Sequence, residues 1–128
     1  MSIKPIPKPK KKQKLSTLRN KCDRALQEAV RQVYDSCLVC GGELSCGHHY
    51  WPKSMSNTLR YDWENIIPLC AGCHLQHHSG NPDIHSYVRK IKGEQWELDL
   101  KGKKIQITKI SKGYYQKVLE NLKLIVDN

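Results

Sequence analysis

The amino-acid sequence predicts a small α+β protein: a compact cysteine-stapled core with helices on both sides and a hairpin toward the C-terminus. Three observations predict it. Two C-x2-C pairs, Cys37/Cys40 and Cys70/Cys73, bracket 29 residues rich in Gly, His and Trp. Apolar residues on either side recur at spacings of three and four. Between residues 96 and 107 they alternate instead.

The N-terminal helix is read from Leu15 to Tyr34. Leu15, Leu18, Cys22, Leu26, Ala29, Val30 and Val33 share one face, and Ser16 or Thr17 is placed to cap it. Cys22 lies on that stripe and is expected in the core. After the cysteine region, Asn81-Pro82 reads as a cap and first turn. Ile84, Tyr87, Val88 and Ile91 follow at one-face spacing, and Gly93 stops the helix. Trp96, Leu98 and Leu100 alternate with polar residues, as do Ile105 and Ile107 after Lys101-Gly102-Lys103, which predicts the hairpin. A last helix runs from Ser111 or Tyr114 to Val126 with Tyr115, Val118, Leu119, Leu122 and Val126 inward. The expected segments are a basic disordered tail (1–14), an N-terminal helix (15–36), the core (37–80) and a C-terminal extension (81–128).

Charge narrows the partner. The 128 residues carry 22 Lys/Arg against 12 Asp/Glu, a net +10. Nine of those cations and one Asp fall in residues 1–24. Each lysine of such a tail can displace condensed counterions, so nucleic acid is the first candidate partner and an anionic membrane surface the second. No apolar run approaches the ~20 residues needed to span a bilayer. The basic N-terminus has no apolar stretch behind it and does not read as a secretory signal. The expected location is therefore cytoplasmic, where cysteines serve as metal ligands or free thiols rather than disulfides.

A C-x2-C turn points two thiolates at one ion, and two such turns complete a tetrahedral zinc site. Gly41 and Gly42 suit the tight turn after the first pair. Cys37, Cys40, Cys70 and Cys73 are therefore the expected structural zinc ligands, with Cys46 a free thiol nearby. A redox C-x-x-C would not need the second copy.

Inside the zinc loop stand His48-His49, then Asn65, then His74 directly after the last cysteine. This order of His, Asn and His threaded through two cysteine knuckles resembles the HNH endonuclease family. The resemblance implies a zinc-stapled ββα-metal core, a two-stranded hairpin and a helix around one catalytic metal. With Gly47-His48-His49-Tyr50, Leu59 to Asn65 and Ser79-Gly80-Asn81-Pro82 included, the sequence looks most like the NinG/Rap recombination endonucleases of lambda-type phages. That implies a phage protein in a bacterial host, acting on branched recombination intermediates such as Holliday junctions. A junction enzyme of this kind is expected to act as a symmetric homodimer.

Site roles follow from local geometry within that resemblance. Neighbouring side chains on a strand point to opposite faces. His48 is assigned as metal ligand and His49 as general base, an imidazole being suited to take a proton near neutral pH. His74 and His78, at i and i+4, share one helix face. With His48 they make a three-nitrogen site like that of HNH enzymes with three His ligands, and His77 competes with His78 for the third place. Asn65 is expected to bond backbone across the hairpin and hold the base-bearing segment in shape. Asp62 and Glu64 are alternative oxygen ligands, read first as loop or cap residues, and His85 is read as a surface residue. Three imidazoles favour Mn²⁺, Ni²⁺, Co²⁺ or Zn²⁺, and Mg²⁺ can still support turnover. Lys53, Arg60, Arg89, Lys90 and Lys92 are the expected DNA contacts, Arg60 as a phosphate clamp. No groove-reading motif for base specificity is present. Two other readings fit part of this pattern: a general HNH nicking or double-strand nuclease, and a non-catalytic zinc-stabilised DNA-binding module.

Overall fold

A computed structural model describes residues 14–78 and 83–127, apart from the side chains of His77 and Asp83. Residues 1–13 of the Pro/Lys tail and the Asn81-Pro82 cap lie outside the described residues. The elements are α1 (Leu15–Val33), β1 (Cys46–His49), a 3-10 turn (Trp63–Asn65), β2 (Ile66–Leu69), α2 (Ala71–His78), α3 (Asp83–Lys92), α4 (Glu94–Lys104) and α5 (Lys112–Val126).

The predicted apolar stripe of α1 is buried from Leu18 to Val30, while Leu15 and Val33 at its ends stay half exposed. Lys14, not Ser16 or Thr17, is the N-cap, and its carbonyl accepts from the backbone N–H groups of Thr17 and Leu18. The first turn is thus closed by backbone alone. Cys22 is fully buried and its thiol donates to the Tyr115 carbonyl of α5 at 3.2 Å. α5 is capped by Ser111, whose hydroxyl accepts from the Tyr114 N–H.

β1 and β2 pair antiparallel, with Cys46 opposite Leu69, Gly47 opposite Pro68, His48 opposite Ile67 and His49 opposite Ile66. This two-stranded sheet divides the core. Ile66 packs with Ala25, Leu26, Ala29 and Val30 of α1 and Leu122 of α5. Ile67 and Leu69 pack on the other side with Leu59, Ile84, Val88, Trp96, Leu100 and the cysteine knuckles. Each strand residue thereby serves the side its alternation dictates.

Gly47 marks the closest approach of α1 to the sheet. A Cβ there would lie 2.7 Å from Ile66 Cγ2 and 2.8 Å from Val30 Cγ2. Both neighbours are β-branched and fully buried, so neither can swing aside. Gly47→Ala is expected to cost about 1–3 kcal/mol by overpacking. Denaturant unfolding would measure it, and an unchanged midpoint would contradict this packing.

The predicted hairpin near residues 96–107 is corrected: its first strand lies within helix α4, and residues 105–107 follow as turn and irregular chain. Trp96 and Leu100 are one turn apart as well as two alternations apart, and both are buried on one face of α4. Leu98 is 52%, Ile105 80% and Ile107 97% exposed, so no second apolar strand face exists to bury. Gly93 adopts φ +95° between α3 and α4, a conformation that favours glycine. Gln95 to Asp99 and Lys101 to Glu97 then add i,i+4 links. Among the described residues no helix is long and apolar enough to cross a membrane.

Candidate active site

Among the described residues, two clusters of ligand-type side chains flank the hairpin. The first is Cys37, Cys40, Cys70 and Cys73, whose sulfurs lie within 4.8 Å of one another. In the first knuckle the Cys37 N–H donates to Gly42 and the Gly41 N–H donates back to Cys37, with Gly41 at φ +74°. The second knuckle spans the end of β2 and the first turn of α2, where the Cys73 N–H donates to Cys70 Sγ at 3.3 Å. Burial raises the Cys37 thiol, but backbone donors from Cys40, Cys70 and Val39 outweigh it and bring it down to about 7. Thiols gathered so closely and met by N–H groups suit a thiophilic cation such as zinc.

The second cluster is His48, His74 and His78, one ring nitrogen of each lying within 4.8 Å of the others. His48 comes from β1 and the other two from successive turns of α2. Ring centroids are 5.3 Å apart for His48 and His74, and 6.0 Å for His48 and His78. Nε2 of His74 and Nε2 of His78 approach to 2.8 Å. Three imidazoles converging from two elements fit one borderline divalent ion. His77 shares α2, but its side chain lies outside the described residues.

Cys46 is not merely a nearby thiol. Its Sγ sits 3.4 Å from His74 Nδ1, so the two ring nitrogens of His74 face different partners. Contacts of this kind orient a ligand from behind. The signal was in the strand period, since Cys46 and His48 are two apart and share a face. His85 is also corrected: it is half-buried, stacked on Tyr50 at 4.4 Å, and 6.0 Å from the His48 ring.

His49 takes the other face of β1. Its Nε2 is 2.8 Å from the Arg60 carbonyl. A carbonyl only accepts, so Nε2 carries the hydrogen and Nδ1 keeps the lone pair. Burial pushes the imidazole below the ordinary value of 6.5, against the opposing pull of that carbonyl. Burial thus favours the neutral ring, which keeps an acceptor at Nδ1. His48, His49, His74 and His78 all line one open cavity of about 420 Å³, with Gln27 and Lys53 also on its wall. Lys53 is exposed.

Asn65 is fully buried. Its Oδ1 accepts from the Trp51 N–H at 2.8 Å, and its Nδ2 donates to the carbonyls of Trp51 and Leu59. One amide therefore ties the segment after β1 to the loop before β2. Asp62 caps the 3-10 turn through the Glu64 N–H and pairs with Lys103 at 2.8 Å. Trp96 donates to the Glu64 carbonyl. Neither carboxylate belongs to either ligand cluster.

Arg60, the expected phosphate clamp, makes an internal ion pair. Its guanidinium is engaged by Asp23 of α1, with contacts of 3.1 and 2.6 Å, and Tyr61 donates to the same carboxylate at 2.8 Å. Burial raises the Asp23 carboxyl, but these donors outweigh it and hold it below its usual value of 3.8. Arg89 donates to the Tyr50 hydroxyl and the Ser86 hydroxyl. Lys90 is exposed near the end of α3. Gln27, which the sequence reading missed, exchanges two hydrogen bonds with the Gly47 backbone at 2.9 and 2.8 Å. Its position on a helix outside the cysteine loop gave no local signal.

Residues 37–80 match the family described as HNH endonuclease. That matching segment holds the hairpin, α2 and both ligand clusters. Over 66 residues the chain is 35% identical to the mitochondrial DNA mismatch repair protein mutS homolog of Sarcophyton glaucum. The match covers 48% of this chain and 7% of that protein. No solved structure matches the chain.

Proposed function

We propose that this chain is a metal-dependent DNA endonuclease that hydrolyses phosphodiester bonds to 5′-phosphate and 3′-hydroxyl ends. The observation that carries the reading is the pairing, across one strand, of a three-imidazole cluster with a fourth imidazole whose proton is fixed on the far nitrogen. A divalent ion bound by His48, His74 and His78 would supply charge stabilisation at the phosphate and at the leaving 3′ oxygen. His49 Nδ1 accepts a proton from the attacking water, and the Arg60 carbonyl steadies the imidazolium that results. Asn65 keeps the segment after β1 in register with the loop that bears that carbonyl. Lys53 meets the DNA backbone at the cavity wall, with Lys90 and the basic N-terminal segment adding counterion-release affinity. Cys37, Cys40, Cys70 and Cys73 would hold a zinc ion, which would fix the start of α2 and with it the direction of His74 and His78.

DNA as substrate is supported by the HNH match and by the mismatch-repair name of the similar protein. Branched recombination intermediates, a phage setting and a symmetric homodimer rest on the sequence resemblance to the NinG/Rap enzymes. One experiment tests both levels. The chelated protein receives Mn²⁺, Co²⁺, Ni²⁺, Zn²⁺ or Mg²⁺ and is incubated with linear duplex, single-stranded, Y-shaped and four-way DNA. Cutting that requires an added ion, and is fastest on the four-way form, is expected. Equal cutting of every form would make it a general HNH nicking or double-strand nuclease. No cutting with any ion would leave the non-catalytic zinc-stabilised DNA-binding module. Mg²⁺ outperforming every other ion would count against the three-imidazole site.

A further inference from the structure

Outside the segment that matches the nuclease family, α1 carries two half-buried polar side chains, Asp23 and Gln27, beside its buried apolar stripe. Asp23 and Gln27 are one turn apart and so share a face. Gln27 grips the Gly47 backbone with a donor and an acceptor at once. Asp23 grips the Arg60 side chain with both carboxylate oxygens and also receives the Tyr61 hydroxyl. Gly47 lies two residues before His49 on β1, and the Arg60 carbonyl is the acceptor for the His49 ring. The two contacts therefore end at one imidazole, one through its backbone and one through its ring partner.

We propose that Asp23 and Gln27 are positioning residues for His49, so that α1 is a working part of the active site rather than packing alone. This rests on the reading of His49 as general base. Without Asp23, the Arg60 side chain loses its anchor and the loop carrying its carbonyl can drift from Nε2. Without Gln27, β1 loses its tie to α1 at Gly47. Either loss frees the ring to swing or to exchange its proton between nitrogens, and a misplacement of about 1 Å at a reacting group can cost on the order of 100-fold in rate.

The test uses the full chain, loaded with zinc and supplied with Mn²⁺. Asp23→Asn, Asp23→Ala and Gln27→Ala are each expected to lower kcat about 10- to 100-fold. The DNA concentration for half-maximal rate, and Co²⁺ binding by the zinc-loaded chain, should stay unchanged. In a His49→Ala background the same changes should add almost nothing, since they act through that ring. Nitrogen-15 NMR of the imidazoles should show His49 as the Nε2–H tautomer in the parent and as a mixture in the variants. Parent-like rates and an undisturbed tautomer would overturn the proposal. So would an equal loss in the His49→Ala background, or a fall in Co²⁺ affinity in step with rate. A parent that cuts no DNA with any ion would defeat the nuclease reading instead, while the tautomer measurement would still decide whether α1 positions His49.

Discussion

Replacing Cys40 with serine is expected to unfold the hairpin and α2 almost as completely as replacing Cys37, although the two sites differ sharply in burial. Cys37 is in the core, 2% exposed, beside Leu69 and Cys73; Cys40 is exposed. If packing dominated, the exposed position would be nearly silent, since substitutions of exposed residues away from special features usually stay within about 0.5 kcal/mol. If a bound zinc dominates, both variants lose one of four ligands. Structural zinc contributes roughly 10–16 kcal/mol to small domains near neutral pH, against a total stability of about 5–15 kcal/mol. The ion decides the outcome on those magnitudes. Far-UV circular dichroism and zinc content measured together check it. Chelation of the parent should produce the same unfolded signal, reversed by added zinc, and neither serine variant should recover fully. A Cys40→Ser chain that melts like the parent would show that the sulfurs hold nothing the fold depends on.

The dependence has a structural basis in where the knuckles sit. Cys37 and Cys40 precede β1, while Cys70 and Cys73 join β2 to α2. One ion would therefore tie together every element that carries a ligand-cluster histidine. Among the described residues the sheet has two strands of four residues, and a two-stranded hairpin is marginal by itself in water. α1 and the α3–α4 pair cover its two faces, but α2 is an eight-residue helix with Leu75 68% exposed. Its direction is set at its N-terminal cysteines more than by its own burial.

The parts of this site that were legible in the sequence are those encoded at short range. A C-x2-C turn, a glycine at positive φ and an i,i+4 histidine pair are fixed by a few consecutive dihedrals, so spacing reveals them. The two faces of β1 follow from a period of two. What was not legible depends on partners far along the chain. Asp23 and Arg60 are 37 residues apart, and Gln27 and Gly47 are 20 apart. In the sequence Arg60 is one more cation in a basic chain, and nothing local distinguishes a phosphate contact from an internal ion pair. The α4 misreading has a different cause. Trp96, Leu98 and Leu100 fit a two-residue period, but Trp96 and Leu100 also fit a four-residue one, and their burial together, with Leu98 exposed, chose the helix.

His49→Ala is expected to lower DNA cutting by about 100- to 10,000-fold, the usual worth of a positioned general base, while binding of DNA and of metal persists. Two alternative effects have to be separated from this one. Removing the ring leaves the Arg60 carbonyl without its donor, which costs on the order of 1–3 kcal/mol for a buried group. The rate must therefore be compared at a temperature where circular dichroism shows both proteins folded. Loss of the metal is the second alternative, and His48→Ala supplies the contrast. His48 belongs to the three-imidazole cluster and His49 does not, so only the His48 change should weaken Co²⁺ binding by the zinc-loaded chain. Two neighbouring histidines on one strand would then fail in two distinguishable ways, one by losing the ion and one by losing the proton acceptor. Both variants cutting at the parent rate would sink the assignment. A His49 variant that lost Co²⁺ affinity and kept its rate in excess metal would reverse the two roles.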